Sequence, residues 1–253
     1  MGPVLPLLLA PLMFFLTVDQ GLGSSSQPGR VVAAPHDGYD QYSGVIAKDV
    51  AQRLRWGWVK ATGYRSYPLR RWFDVNRPTE RRYRGGGFED GRVTNRGVEV
   101  FHEYRRALRV AARVSANRKI PFLVEIHGHT RQVRAGSGTL RIEAIELATR
   151  GYTLAQLRRV KQRYDRLLRD VPQRYRVPLA IDRLNREYEV DGWIVPFYFR
   201  ATSAKNSGSL QRTEATFALH FELPPRARNT YSARSAYGKL IAELLRTTYA
   251  DVR

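Results

Sequence analysis

The chain has 253 residues and no cysteine. That excludes disulfide bonds and thiolate metal ligands, so a metal site here has to be built from histidine and carboxylate. A chain of this length does not need covalent staples, because it can bury one substantial core. Acidic residues are scarce as well: 23 Asp and Glu face 43 Lys and Arg, for a formal net charge of +20. Such a surplus draws in polyanions. The basic residues nevertheless run from Arg30 to Arg253 without a long Lys/Arg block, and no nucleic-acid-binding module is recognisable. We read them as a solvated basic surface that attracts small acidic substrates or peptides, and nucleic acid is not the expected partner. Internal repeats and low-complexity tracts are absent, and the expectation is one domain.

Long apolar runs are missing except at the start. Val4 to Val18 is an uncharged run followed by a stretch of small residues, Gly21 to Ser26. This is the layout of a secretory signal with cleavage after Gly23, and it is too short to span a bilayer comfortably. No Lys or Arg precedes the run, so an uncleaved anchor is the alternative. The expectation is a signal peptide or anchor over 1–23, a domain over 24–253, a secreted or periplasmic location, and no membrane span beyond the N-terminal segment.

What is present is an alternation of strand and helix patterns. "GRVVAA" reads as a buried strand, and Val45, Ile46, Val50 and Leu54 give a helix behind a Ser43 N-cap. "WGWVKATG" reads as a strand, and Tyr64 to Gly87 as a long polar connection closed by three glycines. Gly97 to Ala112 is a helix, "IPFLVEIHG" a buried strand, and "GTLRIEAIELAT" another strand. A basic amphipathic helix over Thr153–Arg169 starts at a Thr153 cap; "DGWIVPFYFRAT" and "EATFALHFELPP" are strands, and Ala233–Thr248 is the last helix. This order predicts an α/β fold: a single domain with a mixed, mostly parallel sheet and helices on both faces. In such sheets ligands bind beyond the carboxyl ends of the strands.

Polar clusters fall at those ends. "APHDGYDQYSG" places His36, Asp37 and Asp40 after the first strand. In "VEIHGH" the side chains of Glu125, His127 and His129 share one face, and in "FALHFEL" His220 and Glu222 share another. His127 reads as a ligand or as a hydrogen-bonded loop residue. His129 is then a neighbour able to donate to substrate, or the ligand in its place. Glu222, set against an apolar face, suits a general base with a pKa raised by desolvation; its plainer role is a salt bridge to Arg226 or Arg228. In "FDVNRPTE", Arg77 beside Asn76 is a surface arginine or half of a carboxylate clamp, since guanidinium offers a planar fork of donors.

"APHDGYD", "FDVNRPTE", "EIHGH" and "HFELP", in that order over residues 30–228, resemble the N-formylglutamate amidohydrolase family, whose fold is similar to that of the zinc carboxypeptidases. The resemblance implies a zinc carboxypeptidase-like fold and one Zn2+ per chain, held by His36, Asp40 and His127. It implies that Asn76 and Arg77 bind the carboxylate of an acyl-amino acid or peptide and that Glu222 is the general base. An upstream arginine, Arg70 or Arg71, would stabilise the oxyanion. Zinc carboxypeptidases carry His-x-x-Glu in the first loop, whereas here Tyr39 stands three residues after His36 and Asp40 follows it. Asp37 is the other candidate for second ligand, its plainer role being an Asx-turn.

The expected activity is therefore zinc-dependent hydrolysis of an amide bond in an acidic, glutamate-like N-acyl amino acid or peptide. An exported peptidase or amidase acting on cell-wall peptide or poly-glutamate is a close alternative. A non-catalytic exported protein that binds polyanions is the alternative from another class, and it rests on charge alone.

Overall fold

The computed structural model describes residues 17–66, 71–201 and 207–252. Its centre is a seven-stranded sheet built from β1 (Thr17–Gly21), β2 (Arg30–Asp37), β3 (Gly57–Thr62), β9 (Ile120–Gly128), β12 (Ile145–Arg150), β13 (Leu179–Ile181) and β16 (Ala215–Leu223). The spatial order is β1-β3-β2-β9-β16-β12-β13. The pairings of β2 with β3 and β9, of β9 with β16 and of β12 with β13 are parallel; those of β1 with β3 and β12 with β16 are antiparallel. The mixed, mostly parallel α/β sheet expected from the alternating pattern is the fold observed.

Strand alternation sorts the core into two layers. Val32, Ala34, Phe122, Val124, Ile126, Leu219, Phe221 and Leu223 face α1 (Ser43–Leu54), α3 (Leu154–Leu167) and α5 (Tyr231–Ala250). Val31, Ala33, Leu123 and Ala218 face α2 (Asn95–Ala111) on the other side. Parallel strands buried on both faces need such unbroken apolar runs. Truncating one of these fully buried side chains, Phe122→Ala for example, costs about 3–5 kcal/mol because the cavity cannot close.

Several local expectations change. Ser43 is the first residue of α1 and not its cap: Tyr42 holds the cap position with a left-handed backbone, φ 67°, and the carboxylate of Asp37 accepts from the Gly44 N–H at 3.1 Å. The capping oxygen thus comes from the end of β2, where it also offsets the positive end of the helix. Thr153 does cap α3, with the reciprocal bond from Gln156 that completes a capping box. The segment expected to be a polar connection after Tyr64 is folded: β4 (Arg65–Ser66), β5 (Arg71–Asp74), β6 (Thr79–Arg84) and β7 (Gly87–Phe88) pair in sequence, and β8 (Arg92–Val93) pairs with β6. Its strands are short and arginine-rich, so the periodicity is hidden by polar residues on both faces. "GTLRIEAIELAT" is not one strand. Its first part, β11 (Gly138–Arg141), pairs with β10 (Gln132–Ala135), and only its second part is β12. Likewise "DGWIVPFYFRAT" contributes β15 (Trp193–Pro196), which pairs with β14 (Glu187–Val190) outside the main sheet.

The expected leader lies mostly outside the described residues. Of its described part, Thr17–Gly21 is the edge strand β1, and the Gly23 carbonyl accepts from Arg113 at 2.8 Å. Among the described residues no helix is long and apolar enough to cross a membrane.

Candidate active site

The site lies at the carboxyl edge of the sheet, where β2, β9 and β16 end side by side. A register shift between Ala34 and Asp37 breaks the pairing of β2 with β3 and re-aims His36. The chain then turns tightly: the backbone N–H groups of Tyr39 and Asp40 both donate to the His36 carbonyl, at 3.2 and 2.8 Å. Gly38 makes this turn with φ 89°, a region that side-chain-bearing residues avoid. The turn folds Asp40 back beneath His36. His36 Nδ1 stands 3.3 Å from Asp40 Oδ2, and His127 Nδ1, from the end of β9, stands 3.0 Å from the same oxygen. All three residues are buried.

The electrostatics of this trio are uneven. Burial pushes His36 down to about 4, aided by the nearby Arg65 charge, so it is neutral at pH 7. Burial also opposes the charged form of His127, but hydrogen bonding to Asp40 and Glu125 outweighs it and lifts the group to about 9. Asp40 is held far below the usual carboxylate range: burial raises it, and the two histidines more than reverse that. His127 therefore carries the extra proton in a space into which two imidazoles and a carboxylate converge. Neutral imidazole and carboxylate are the ligand types of open three-ligand zinc sites, and their donor atoms here lie within 4.8 Å of one another. His36 Nε2 is buried without a hydrogen-bond partner, and His127 Nε2 lies 3.6 Å from Glu125 Oε2. The donor set fits a zinc ion held by His36, Asp40 and His127. Asp37 points elsewhere, to Gly44, Thr62 and Lys60.

Glu222 sits opposite His127 in the parallel pairing of β16 with β9, and His220 sits opposite Glu125. Glu222 Oε1 is 2.8 Å from His220 Nε2. The guanidinium of Arg228 goes instead to the carbonyls of Leu223, Gln41 and His129. Glu125 is fully buried and takes hydrogen bonds from Tyr104 Oη at 3.1 Å and Asn76 Nδ2 at 3.2 Å. Glu125, His127 and His220 form a second cluster of metal-capable groups, but its carboxylate is already occupied by these donors.

A pocket of about 890 Å³ opens over the cluster. Its lining includes His36, Asp40, Asn76, Arg77, His127, His129, His220 and Glu222, so seven residue positions proposed from sequence and His220 meet in one cavity. Asp74 is buried beneath one wall, where it pairs with Arg65, with Arg77 at 3.1 Å and with Arg81 at 3.7 Å. One carboxylate offsets three guanidiniums, which leaves that wall cationic. Asn76 is pinned from below: its carbonyl accepts from Ser209 N–H at 2.9 Å and its side-chain amide donates to Glu125, while Oδ1 is buried without a partner. The opposite wall carries Arg131, Tyr198, Phe199 and Arg200. It is fastened by the buried Glu146, which pairs with Arg131 and accepts from the N–H groups of Tyr198 and Phe199 at 2.8 and 2.7 Å.

Two expected residues are placed differently from the rest. Arg71 is half exposed, 3.5 Å from Glu80, and does not line the pocket; Arg70 lies outside the described residues. Arg65, also upstream of the Asn76 turn, is the arginine that borders His36. His129 lines the pocket, but its ring nitrogens are engaged by backbone, Nε2 with the Ala144 carbonyl at 3.0 Å and Nδ1 with Arg131 N–H at 3.2 Å. Reading the sequence missed Arg65, Arg81, Glu125 and His220 as parts of this assembly. For the last two the signal was available, since each shares a strand face with a residue already singled out.

The sequence matches no protein-family model and no curated protein sequence. Solved structures share the architecture. N-formylglutamate amidohydrolase from Ralstonia eutropha JMP134 superposes with a TM-score of 0.50 at 12% identity, over 93% of this chain and 98% of that one. The gene product Atu2144 from Agrobacterium tumefaciens gives 0.49 at 10% identity, over 94% and 96%. A bacteriophage poly-gamma-glutamate hydrolase gives 0.45 at 10% identity, over 92% and 89%. At these identities the likeness is one of fold alone, a single α/β domain, and the first of the three carries it.

Proposed function

We propose that the protein is a zinc-dependent amidohydrolase that cleaves an amide bond in an acidic, glutamate-like N-acyl amino acid or peptide. The observation that carries this reading is the convergence of His36 Nδ1 and His127 Nδ1 on one Asp40 oxygen, at the floor of an arginine-lined pocket that Glu222 also lines. A zinc ion held by these three residues would polarise the scissile carbonyl and bring the pKa of water toward neutrality. Glu222 takes the proton of the attacking water and delivers it to the leaving amine. Arg77 pairs with the substrate carboxylate through its planar fork, in a wall whose excess positive charge favours an anion. We assign the oxyanion role to Arg65, which borders His36, in place of Arg71. The uncharged N-terminal run supports a location outside the cytoplasm, which sequencing the mature N-terminus in the host tests: a start near Ser24, which would remove the edge strand β1, is expected, and an intact Met1 on cytosolic protein would refute export.

A second reading, an amidase acting on longer acidic peptides, is favoured by the extent of the pocket toward Tyr198 and Arg200, beyond what a one-carbon acyl group fills. The test is release of free amine from N-formyl-L-glutamate and from γ-glutamyl peptides, before and after chelation. Activity lost on chelation and restored by zinc supports the reading, and the preferred substrate separates its two forms. No hydrolysis of either class by zinc-loaded protein would overturn it.

A further inference from the structure

Behind Glu222 stands a line of buried polar groups that the proposed chemistry leaves unused. Tyr104 Oη and Asn76 Nδ2 donate to Glu125, and His220 Nδ1 lies 3.2 Å from Glu125 Oε2. A carboxylate that collects donors accepts from His220 too, so Nδ1 carries a hydrogen. Nε2 faces Glu222 Oε1 at 2.8 Å, and an ionised Glu222 can only accept there, so the ring spans two carboxylates with an N–H to each. The ring has little freedom to turn, because it stacks on His127 at 3.9 Å and 20°. The four strand residues involved, Glu125, His127, His220 and Glu222, occupy facing positions of one parallel register, so the backbone of β9 and β16 sets their spacing.

We propose that His220, oriented by Glu125, is a positioning residue that fixes the carboxylate of Glu222 for proton transfer. This rests on the proposed function, since it assigns Glu222 the base. An imidazole held by a second carboxylate is a rigid partner. It fixes the rotamer of Glu222 and keeps Oε1 in one place while the carboxylate gains and loses a proton. Misplacement of a reacting group by about 1 Å costs on the order of 10²-fold in rate. Removing the imidazole should therefore lower kcat while leaving ground-state binding at Arg77 intact.

The experiment compares wild type, His220→Ala and Glu125→Gln for zinc content, kcat and KM on a glutamate-terminated amide, with imidazole added to His220→Ala. Expected are zinc near the wild-type level, KM within about twofold, kcat lower by about 10- to 100-fold, and partial recovery of kcat with imidazole, which a purely structural role would not give. Unchanged kcat in a zinc-loaded His220→Ala would overturn the proposal. Loss of zinc in step with activity would overturn it too, since His220 would then be supporting His127. Wild-type protein without hydrolase activity would instead remove the proposed function. A second measurement does not depend on the variants folding: nitrogen-15 imidazole spectra of the zinc-free wild type should show His220 protonated at Nδ1, and a bare Nδ1 would contradict the arrangement.

Discussion

His127 and Glu222 are direct neighbours in the parallel pairing of β9 with β16, one at the edge of the metal-capable trio and the other held on His220. The ligand and the base are therefore placed by one stretch of backbone hydrogen bonding. That separates their roles in an experiment. Glu222→Gln keeps shape and most hydrogen bonding but cannot take a proton, so zinc should stay bound while kcat falls by about 10² to 10⁴. Paired measurements of zinc content and turnover check this, and an unimpaired kcat would remove Glu222 as base.

Arg77 is expected to act on binding. Lysine at this position keeps the charge but loses the fork, so Arg77→Lys should raise KM and leave kcat near wild type if the contact is equal in ground and transition states. Steady-state kinetics on a glutamate-terminated amide decide it; an unchanged KM would remove the clamp.

Zinc has to displace the proton that Asp40 and Glu125 hold on His127, which titrates at about 9. Zinc affinity should therefore rise with pH, up to about tenfold per unit below that value, and flatten above it. Competition titrations against a chelator between pH 6 and 9 measure the slope. An affinity independent of pH over that range would mean that His127 is not a ligand.

Asp74 bears on stability and its pH dependence. Burial raises its pKa, but Arg65 and Arg77 outweigh that and hold it below the ordinary value of 3.8. A carboxyl depressed in the folded state contributes stability that is complete above its unfolded pKa and lost as pH falls through the folded one. Asp74→Asn should thus cost about 3–5 kcal/mol at pH 7 by leaving the guanidiniums uncompensated, and the gap to wild type should narrow as pH falls below the ordinary value of 3.8. Urea unfolding at pH 7 and pH 3 tests both parts, and a gap that stays constant would assign the cost to something other than the ion pairs.

The sheet was legible because its strands are buried on both faces: the apolar runs at Ile120–Gly128 and Ala215–Leu223 leave little else for those residues to be. The helix over Leu154–Leu167 was legible for a different reason, its Thr153 cap. The meander from Arg65 to Val93 was not, because its strands run two to six residues with arginines on both faces. For the site, alternation along a strand told which side chains share a face. It did not tell which of them meet across strands, and that register is what joins His220 to Glu125 and Glu222 to His127. Nor could a sequence with 43 basic residues single out Arg65, since only the pairing of β4 with β5 carries it to the buried Asp74.

The most direct measurement is calorimetric titration of zinc into metal-stripped wild type and into His127→Ala. One tight site per chain is expected in the wild type, and loss of most of that affinity in the variant. Equal binding by the two proteins, or none by the wild type, would contradict this.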